Sequence, residues 1–226
     1  MDKCDSEKFM NSKVERINIT SGDLDEHLAR GLKSIRDGYV IVVPLEHGYV
    51  YACDAFSHFA VRAMHVLRGD ALGVVAQVII PNSKTAQGLS RSMRADVQEL
   101  TNAFWPGLLS LNVKPQMGLA WDLGDDQRLD QISLRVPQEG FVLDLMQKSG
   151  PLAILSITNN ALPTLLDVER FENPGVDVIF DGGHLPAGPR TTVINVSDDG
   201  MELVREGAIS RESLQKVSPD NFAKAD

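Results

Sequence analysis

A continuous run of β-branched and apolar residues, YVIVVP (39–44), constrains the fold more than any other stretch of the chain. Strands that are buried on both faces show this pattern, and the proline closes the run, so we predict a central strand here. Apolar residues resume at Tyr49, after an interruption of sequence LEHG (45–48). A carboxylate, an imidazole and a glycine between two core segments predict a loop at a strand end, where binding residues are often placed.

Segments of helical period alternate with further apolar runs. Apolar residues recur at helical spacing from Leu24 to Ile35, and Ser21 is a candidate N-cap for this helix. Strands and helices intermingle without a strict βα repeat, which predicts a single α/β domain with a twisted mixed sheet flanked by helices. The other predicted helices lie at 56–69, 92–105 and 139–150, and the other predicted strands at 74–81, 108–113, 131–137, 151–157 and 176–183, with a hairpin of 191–196 and 201–207.

Composition and charge narrow the class of protein. The 226 residues are 43% hydrophobic and 23% charged, as in soluble globular domains, and the formal net charge is -9. Because nucleic-acid binders depend on Lys and Arg to neutralise phosphates, this charge argues against tight binding of tRNA or DNA by the chain alone. A local basic pocket for a small anion is compatible with it. The absence of a signal-like leader and of a long apolar run predicts a cytoplasmic protein without a membrane segment.

Familiar catalytic motifs do not occur in the sequence. It contains neither the G-x-G-x-x-G nor the G-x-x-x-x-G-K-[ST] phosphate-binding pattern, and no C-x-x-C or H-E-x-x-H metal pattern. The five histidines have no G-x-S-x-G partner, so nothing indicates a serine hydrolase. His58 and His65 share a predicted helix at a spacing of seven residues, which we interpret as packing. Residue patterns alone therefore predict a fold class and no reaction.

The order of several segments resembles the YrdC-like threonylcarbamoyl-AMP synthase family. These segments are DGYVIVVP, HGYVYACDA, LRGDA, FWPGLLSL, ISLRVP, PLAILSITN, VDVIFDGG, TTVIN and VREGAIS, and the linkage around FWPGLLSLNV is similar to actinobacterial members. The resemblance covers about residues 22–210. It implies a YrdC-like domain at 16–210, a flexible N-terminal tail at 1–15, and a short C-terminal helix and tail at 211–226.

The resemblance also implies a reaction. Members of this family combine L-threonine, bicarbonate and ATP into threonylcarbamoyl-AMP and pyrophosphate, which a separate complex uses to modify adenosine 37 of tRNA. ATP is then a substrate, and Mg²⁺ is the expected metal because phosphoryl transfer is usually assisted by it. The implied partners are these small molecules, with L-threonine or a related amino acid as acceptor. Contact with double-stranded RNA or tRNA is implied by resemblance only, and the oligomeric state is not predicted.

The family's threonine-binding segment, P-T-D-T-V-Y-G, falls on the loop at 45–48 and the residues beside it. Pro44 and Tyr49 match, whereas His47 stands in place of a threonine. A later S-T pair falls on Thr191 and Thr192, which keep two hydroxyl groups. The resemblance therefore implies substrate binding by His47, Tyr49, Thr191 and Thr192.

The family's nucleotide-binding residues carry over in part. Its K-x-R pair falls on Arg68 and Asp70, so the first charge is kept and the second is inverted; Asp70 could instead be a ligand of Mg²⁺. The other implied nucleotide-binding positions are Ser110, which replaces a threonine, Ser156 and Thr158 of the S-x-N pair, and Arg205.

Two interpretations of these changes stay open. The chain is either a divergent enzyme of this family or a non-catalytic YrdC-like paralogue that acts as a nucleotide-binding, RNA-binding or regulatory partner. For Glu46 and His47, a remodelled ligand pocket and a loop that has lost its ligand contacts are both compatible with the sequence. Arg135 is predicted to be a salt-bridged strand residue, and the turn at 181–183 to be structural.

Overall fold

A computed structural model describes residues 14–138, 140–157 and 175–222. Ten strands and seven helices lie within these ranges. The strands are β1 (Glu15–Asn18), β2 (Val40–Pro44), β3 (Tyr49–Asp54), β4 (Gln77–Ile79), β5 (Leu109–Val113), β6 (Ile132–Arg135), β7 (Leu152–Ser156), β8 (Val176–Asp181), β9 (Thr192–Val196) and β10 (Met201–Arg205). The helices are α1 (Leu24–Arg36), α2 (His58–Arg68), α3 (Ser83–Leu89), α4 (Ala95–Phe104), α5 (Phe141–Ser149), α6 (Arg211–Val217) and α7 (Pro219–Phe222).

All ten strands form one mixed sheet in the order β1-β8-β2-β3-β7-β4-β6-β5-β9-β10. The pairs β1–β8, β2–β8, β4–β6 and β5–β9 are parallel, whereas β2–β3, β3–β7, β4–β7, β5–β6 and β9–β10 are antiparallel. The predicted fold class, an α/β domain with a mixed sheet, is therefore confirmed. Strand β2 is an interior strand, as its apolar sequence predicts.

Two hydrophobic cores lie on opposite faces of the sheet. On one face, Leu28 of α1 and Leu145 of α5 cover strands β2, β3, β7 and β8. On the other face, α2, α4, α6 and α7 pack against the sheet, with Met64 and Leu100 fully buried. Successive residues of β2 alternate between the two cores, since Ile41 belongs to one and Val42 to the other. Burial on both faces explains why no polar residue interrupts this strand.

The face covered by α1 and α5 becomes polar toward β9. Gln77 of β4 lies opposite Ile154 of that core, and its amide donates to Ser133 of β6 at 3.2 Å. Asn112 of β5 is the register partner of both Ser133 and Asn195 of β9. The same face of the sheet is therefore an apolar core at one end and a polar surface at the other. The cavity described below lies on the polar part.

The sequence LEHG forms the connection of the β2–β3 hairpin. Pro44 pairs with Tyr49, and the Leu45 N–H donates to the Gly48 carbonyl at 2.9 Å. The predicted loop between two core strands is thus confirmed.

Several local predictions differ from the structure. Helix α1 begins after Asp23, not Ser21, because the Asp23 carboxylate accepts from the backbone N–H of Asp25 at 2.7 Å and of Glu26 at 3.2 Å. Strand β1 begins at Glu15, inside the predicted tail at 1–15, and pairs in parallel with β8. Helix α3 was not predicted. The C-terminal helix predicted after 210 is present as α6 and is followed by α7.

Truncation of Leu111 tests the packing of the larger core. This residue of β5 is fully buried, so we expect Leu111→Ala to lower the free energy of unfolding by about 2 to 5 kcal/mol through lost burial and a residual cavity. Urea titration followed by far-UV circular dichroism measures the change. Leu72→Ala is the control, since Leu72 is 96% exposed, and an equal loss in both variants would contradict the assignment of this core.

Candidate functional site

A cavity of about 450 Å³ opens on the polar face of the sheet. Its walls come from the β2–β3 loop, the C-terminal end of α2, the ends of β4, β6 and β7, and the segment that leads into β9. The lining residues are 45–50, Arg68, Val75, Gln77, Leu108, Ser133, Arg135, 154–156, 188–191, Val193 and Arg205. A second cavity of about 780 Å³ shares Val75, Gln77 and Ser133 with the first, so the two cavities adjoin at these residues.

The lining of the first cavity is strongly cationic. Among the described residues that form it, four are arginines and one, Glu46, is a carboxylate. The whole chain carries a net charge of -9, so this concentration of positive charge runs against the charge of the protein. Such a site favours an anionic ligand.

Glu46 is already neutralised by a buried partner. The Glu46 carboxylate forms an ion pair with Arg135 Nη2 and accepts from the Gln138 N–H at 2.7 Å. Burial alone would raise the pKa of Glu46, but the Arg135 charge and the Gln138 N–H outweigh it, and the pKa lies below its usual value. Arg135 Nε also donates to the Gly107 carbonyl at 2.9 Å. Arg135 is thus the salt-bridged strand residue that its sequence context predicts.

Arg205 and Arg190 form one cationic end of the cavity. Arg205 donates to the Thr191 carbonyl at 3.1 Å and to the Thr191 hydroxyl at 2.7 Å. Burial and then the positive charge of Arg190 lower the pKa of Arg205. Two guanidinium groups that repel each other in this way are stabilised by an anion bound between them. Arg190 was not predicted, because no family motif falls on it.

Arg68 forms another cationic corner at the end of α2. Its Nε donates to Asp70 at 2.6 Å and its Nη1 to the Ser156 carbonyl at 3.3 Å. Asp70 is held by Arg68 and His65 and does not line the cavity, although Arg68 does. Burial raises the pKa of Asp70, but the hydrogen bonds from Arg68 and His65 lower it below its usual value.

Tyr49 is among the lining residues, but its buried side chain belongs to the core on the opposite face of the sheet, and its hydroxyl is engaged by the 181–183 turn. The hydroxyl donates to the Gly183 carbonyl at 2.6 Å and accepts from the Gly182 N–H at 3.1 Å. Burial and the nearby Asp181 charge raise the pKa of Tyr49 to about 12. The predicted substrate-binding tyrosine thus holds the 181–183 turn, and that turn has the structural role predicted for it.

His47 lies in the cavity wall and is oriented by one hydrogen bond. Its Nδ1 is 2.9 Å from the Pro186 carbonyl, which can only accept, so Nδ1 carries a proton. Gly188 packs against the ring, and a Cβ there would lie 2.2 Å from it. Only glycine at position 188 allows the imidazole its present place.

The predicted hydroxyl residues separate into two groups. Thr191 and Ser156 line the cavity. Ser110 and Thr192 are fully buried: Ser110 accepts from the Gln77 amide at 2.8 Å, and Thr192 accepts from the N–H groups of 207 and 209 at 3.0 and 2.9 Å. Thr158 lies outside the described residues.

The described residues offer little to a metal ion. No group of three His, Cys, Asp or Glu side chains lies close enough together to hold one within the part of the chain that the structure describes. Both oxygens of Asp70 are occupied by Arg68 and His65, and Glu46 is paired with Arg135. These donors do not fit a protein-held Mg²⁺. Across the same described ranges, no helix has the length and apolar character needed to span a membrane.

Removal of Glu46 tests the buried ion pair. We expect Glu46→Ala to lower the free energy of unfolding by about 3 to 5 kcal/mol, because Arg135 would remain buried without its counter-ion. Adding Arg135→Met to Glu46→Ala should cost less than the sum of the two single changes. Chemical denaturation of all three variants measures this. The exposed pair Lys216–Glu212 is the control, and its disruption should cost less than about 1 kcal/mol.

The same pair predicts a dependence of stability on pH. The pKa of Glu46 is lower in the fold than its ordinary value of 4.5, so its contribution is complete above that value and is lost as pH falls through the folded pKa. Glu46→Gln should therefore flatten the loss of stability below about pH 4.5. Thermal melting of wild type and Glu46→Gln across this range checks it, and parallel curves would show that Glu46 does not contribute.

Comparison with known proteins places this chain in a family. The sequence model described as "Telomere recombination", for Sua5, YciO and YrdC proteins, matches residues 33–207. A Mycobacterium tuberculosis protein assigned as a threonylcarbamoyl-AMP synthase is 30% identical over 199 residues, which is 85% of this chain and 91% of the relative. The Bacillus subtilis threonylcarbamoyl-AMP synthase is 25% identical over 85% of this chain and 57% of the relative.

Solved structures of the same family share the fold. Pyrococcus abyssi Sua5 complexed with L-threonine has a TM-score of 0.79 at 20% identity, over 95% of this chain and 65% of that chain. This chain therefore spans just under two thirds of that protein. Escherichia coli YciO has a TM-score of 0.75 at 20% identity, over 90% of this chain and 100% of that chain. The protein belongs to the Sua5/YciO/YrdC family.

Proposed function

We propose that this protein is a threonylcarbamoyl-AMP synthase, which joins L-threonine, bicarbonate and ATP and releases pyrophosphate. The observation that carries the proposal is the cavity, whose arginines form a cationic surface in a protein of net charge -9. Family membership supports the same assignment, since similar proteins named threonylcarbamoyl-AMP synthase cover most of the chain. A nucleoside triphosphate such as ATP is an anion that this surface would favour.

The arginines would act on the phosphates of ATP. In the reaction, an oxygen of the threonine carbamate attacks the α-phosphorus, the bond from that phosphorus to the bridging oxygen breaks, and pyrophosphate leaves with the electron pair. Such a transfer depends mainly on positioning and on stabilisation of charge. Arg190 and Arg205 at one end and Arg68 at the other would share this stabilisation. Mg²⁺ would enter with the phosphates, because the described cavity residues supply no uncommitted carboxylate.

His47 would act as the base for the amino-acid substrate. Carbamate formation requires a neutral threonine amino group, so a proton must leave the ammonium form. With Nδ1 fixed as a donor to Pro186, His47 offers Nε2 as the acceptor for that proton. This role replaces the hydroxyl contact that the family's threonine residue would make at this position.

A second candidate is nucleotide binding without turnover. It is favoured by the hydroxyls of Tyr49, Ser110 and Thr192, which are committed to hydrogen bonds within the protein. A paralogue that kept its anion site but lost its contacts with the amino acid would have this arrangement. Contact with RNA and a cytoplasmic location remain predictions from the resemblance and the sequence.

Pyrophosphate release decides between the two functions. We expect wild type incubated with ATP, L-threonine, bicarbonate and Mg²⁺ to release pyrophosphate in a threonine-dependent manner, and Arg205→Met to reduce kcat/KM about 100-fold through loss of a charge contact to phosphate. Arg62→Met, on the exposed face of α2, is the matched control. Release no faster than with heat-denatured protein would refute the enzyme. ATP binding by calorimetry without release would support the second candidate.

A further inference from the structure

The C-terminal end of α2 folds three charged side chains into one cluster. Gly69 adopts a left-handed conformation (φ 72°), its N–H donates to the Val66 carbonyl, and the Asp70 N–H donates to the His65 carbonyl. This is a Schellman cap, which brings the residue after the glycine against the one five positions earlier. An apolar pair usually fills these two places, but here they hold an aspartate and a histidine.

Two hydrogen bonds hold the ring of His65. Nδ1 is 2.7 Å from Asp70 Oδ2, and Nε2 is 2.9 Å from the Leu123 carbonyl. A carbonyl can only accept, and the Asp70 carboxylate, which also accepts from Arg68, accepts here too. Two acceptors thus face the ring, and both nitrogens of His65 are placed to donate, as they do in an imidazolium.

The cluster controls the charge that Arg68 presents to the cavity. The Asp70 carboxylate is 2.6 Å from Arg68 Nε and cancels the guanidinium charge, so the pair alone is neutral. An imidazolium at His65 returns the net charge of the three groups to +1. Their side chains are 19% exposed or less, so bulk solvent screens these interactions weakly.

We propose that His65 is a positioning residue for anion binding: through Asp70 it holds the Arg68 guanidinium at the cavity and keeps this corner cationic. The role rests on the proposed function in that the ligand is taken to be a phosphate-bearing anion. Asp70 then acts on the ligand through Arg68, which accounts for a carboxylate where the family carries an arginine.

The surroundings of His65 contain other titratable groups. From the segment that faces α2, Asp122 accepts from the Gly124 N–H at 3.1 Å, and Asp125 Oδ1 is buried without a hydrogen-bond partner. A Cβ at Gly124 would lie 2.5 Å from His65 Nε2, so this segment packs tightly on the ring. Within the cluster itself, Arg68 and Asp70 are the charged neighbours of His65.

A charge-rescue experiment with inorganic pyrophosphate tests the proposal. We expect His65→Gln to raise the Kd for pyrophosphate about tenfold, because the Arg68–Asp70 pair left behind is neutral. Adding Asp70→Asn to His65→Gln should restore the Kd to within about twofold, since the net charge returns to +1 and the amide oxygen still accepts from Arg68. His58→Gln is the control: His58 lies on the same helix and contacts the Ala120 carbonyl.

The pH dependence adds a readout that a purely structural role would not move. Titration of pyrophosphate itself affects all variants equally, so the ratio of the two Kd values isolates His65. The ratio for His65→Gln over wild type should fall toward one when the pH is raised far enough to deprotonate an imidazolium. A constant ratio, or no rescue by Asp70→Asn in a variant with an unchanged melting temperature, would overturn the proposal.

A measurement without ligand separates this proposal from the proposed function. In wild type, the Arg68 Nε–H should exchange slowly with solvent in ¹⁵N NMR spectra, and Asp70→Ala should accelerate that exchange at least about tenfold by removing its acceptor. Equal exchange in both proteins would refute the positioning role. If wild type binds no pyrophosphate while the exchange result holds, the proposed function fails and the positioning of Arg68 by Asp70 stands.

Discussion

The ion pair between Glu46 and Arg135 is the interaction on which the cavity depends. It joins the β2–β3 loop to β6, and strands β7 and β4 lie between those two elements in the sheet. Removing both charges from water is costly, and two further hydrogen bonds offset part of that cost, one from the Gln138 N–H to Glu46 and one from Arg135 Nε to the Gly107 carbonyl. The pair thereby fixes the loop that carries His47 at the edge of the polar floor.

The same pair explains why the cavity stays cationic. Glu46 is the one carboxylate among the described lining residues, and its charge is neutralised by the ion pair with Arg135. Arg68, Arg190 and Arg205 also belong to the described lining, and Asp70, which is outside that lining, pairs with Arg68. An anion that enters the cavity would find guanidinium groups already held in place, so little ordering cost accompanies its binding.

The sequence predicts the interior of this fold better than its margins. The run YVIVVP is specified by burial on both faces and appears as a strand with nearly the predicted bounds, whereas the strand predicted at 74–81 is shortened to Gln77–Ile79. Strand β1 and helix α3 were missed for a shared reason: ERIN is mostly exposed and SKTAQGL has little apolar periodicity, so tertiary contacts decide their conformation. The predicted N-cap, Ser21, is wrong because the Asp23 carboxylate accepts from the first-turn N–H groups of Asp25 and Glu26.

Residues of the cavity lining were predictable where a family motif falls on them. Contacts between residues that are distant in sequence were not predictable. Arg68, Arg205, Ser156 and Thr191 reach the cavity as the resemblance implies. Arg190 has no motif, and the pairing of Glu46 with Arg135 joins residues 89 positions apart, so neither follows from local pattern. Packing is the predicted role of His65, whereas the structure shows a hydrogen bond between its Nδ1 and Asp70. The glycine in H-x-x-x-G-D was the available signal, since a Schellman cap at Gly69 forces those two side chains together.

The departures from the family's motifs fall unevenly across the cavity, and this unevenness bears on the reaction. At the proposed nucleotide end, positive charge persists, although Arg190 lies outside the motifs carried over from the family and Asp70 pairs with Arg68. At the proposed amino-acid end, a histidine whose Nδ1 donates to Pro186 stands where a hydroxyl is expected, and the Tyr49 hydroxyl is turned toward Gly183. Affinity for a phosphate anion depends mainly on charge, which several arrangements of arginine can supply. Selection of an amino acid depends on exact hydrogen-bond partners, so under the proposed function it is the property that these substitutions would change most.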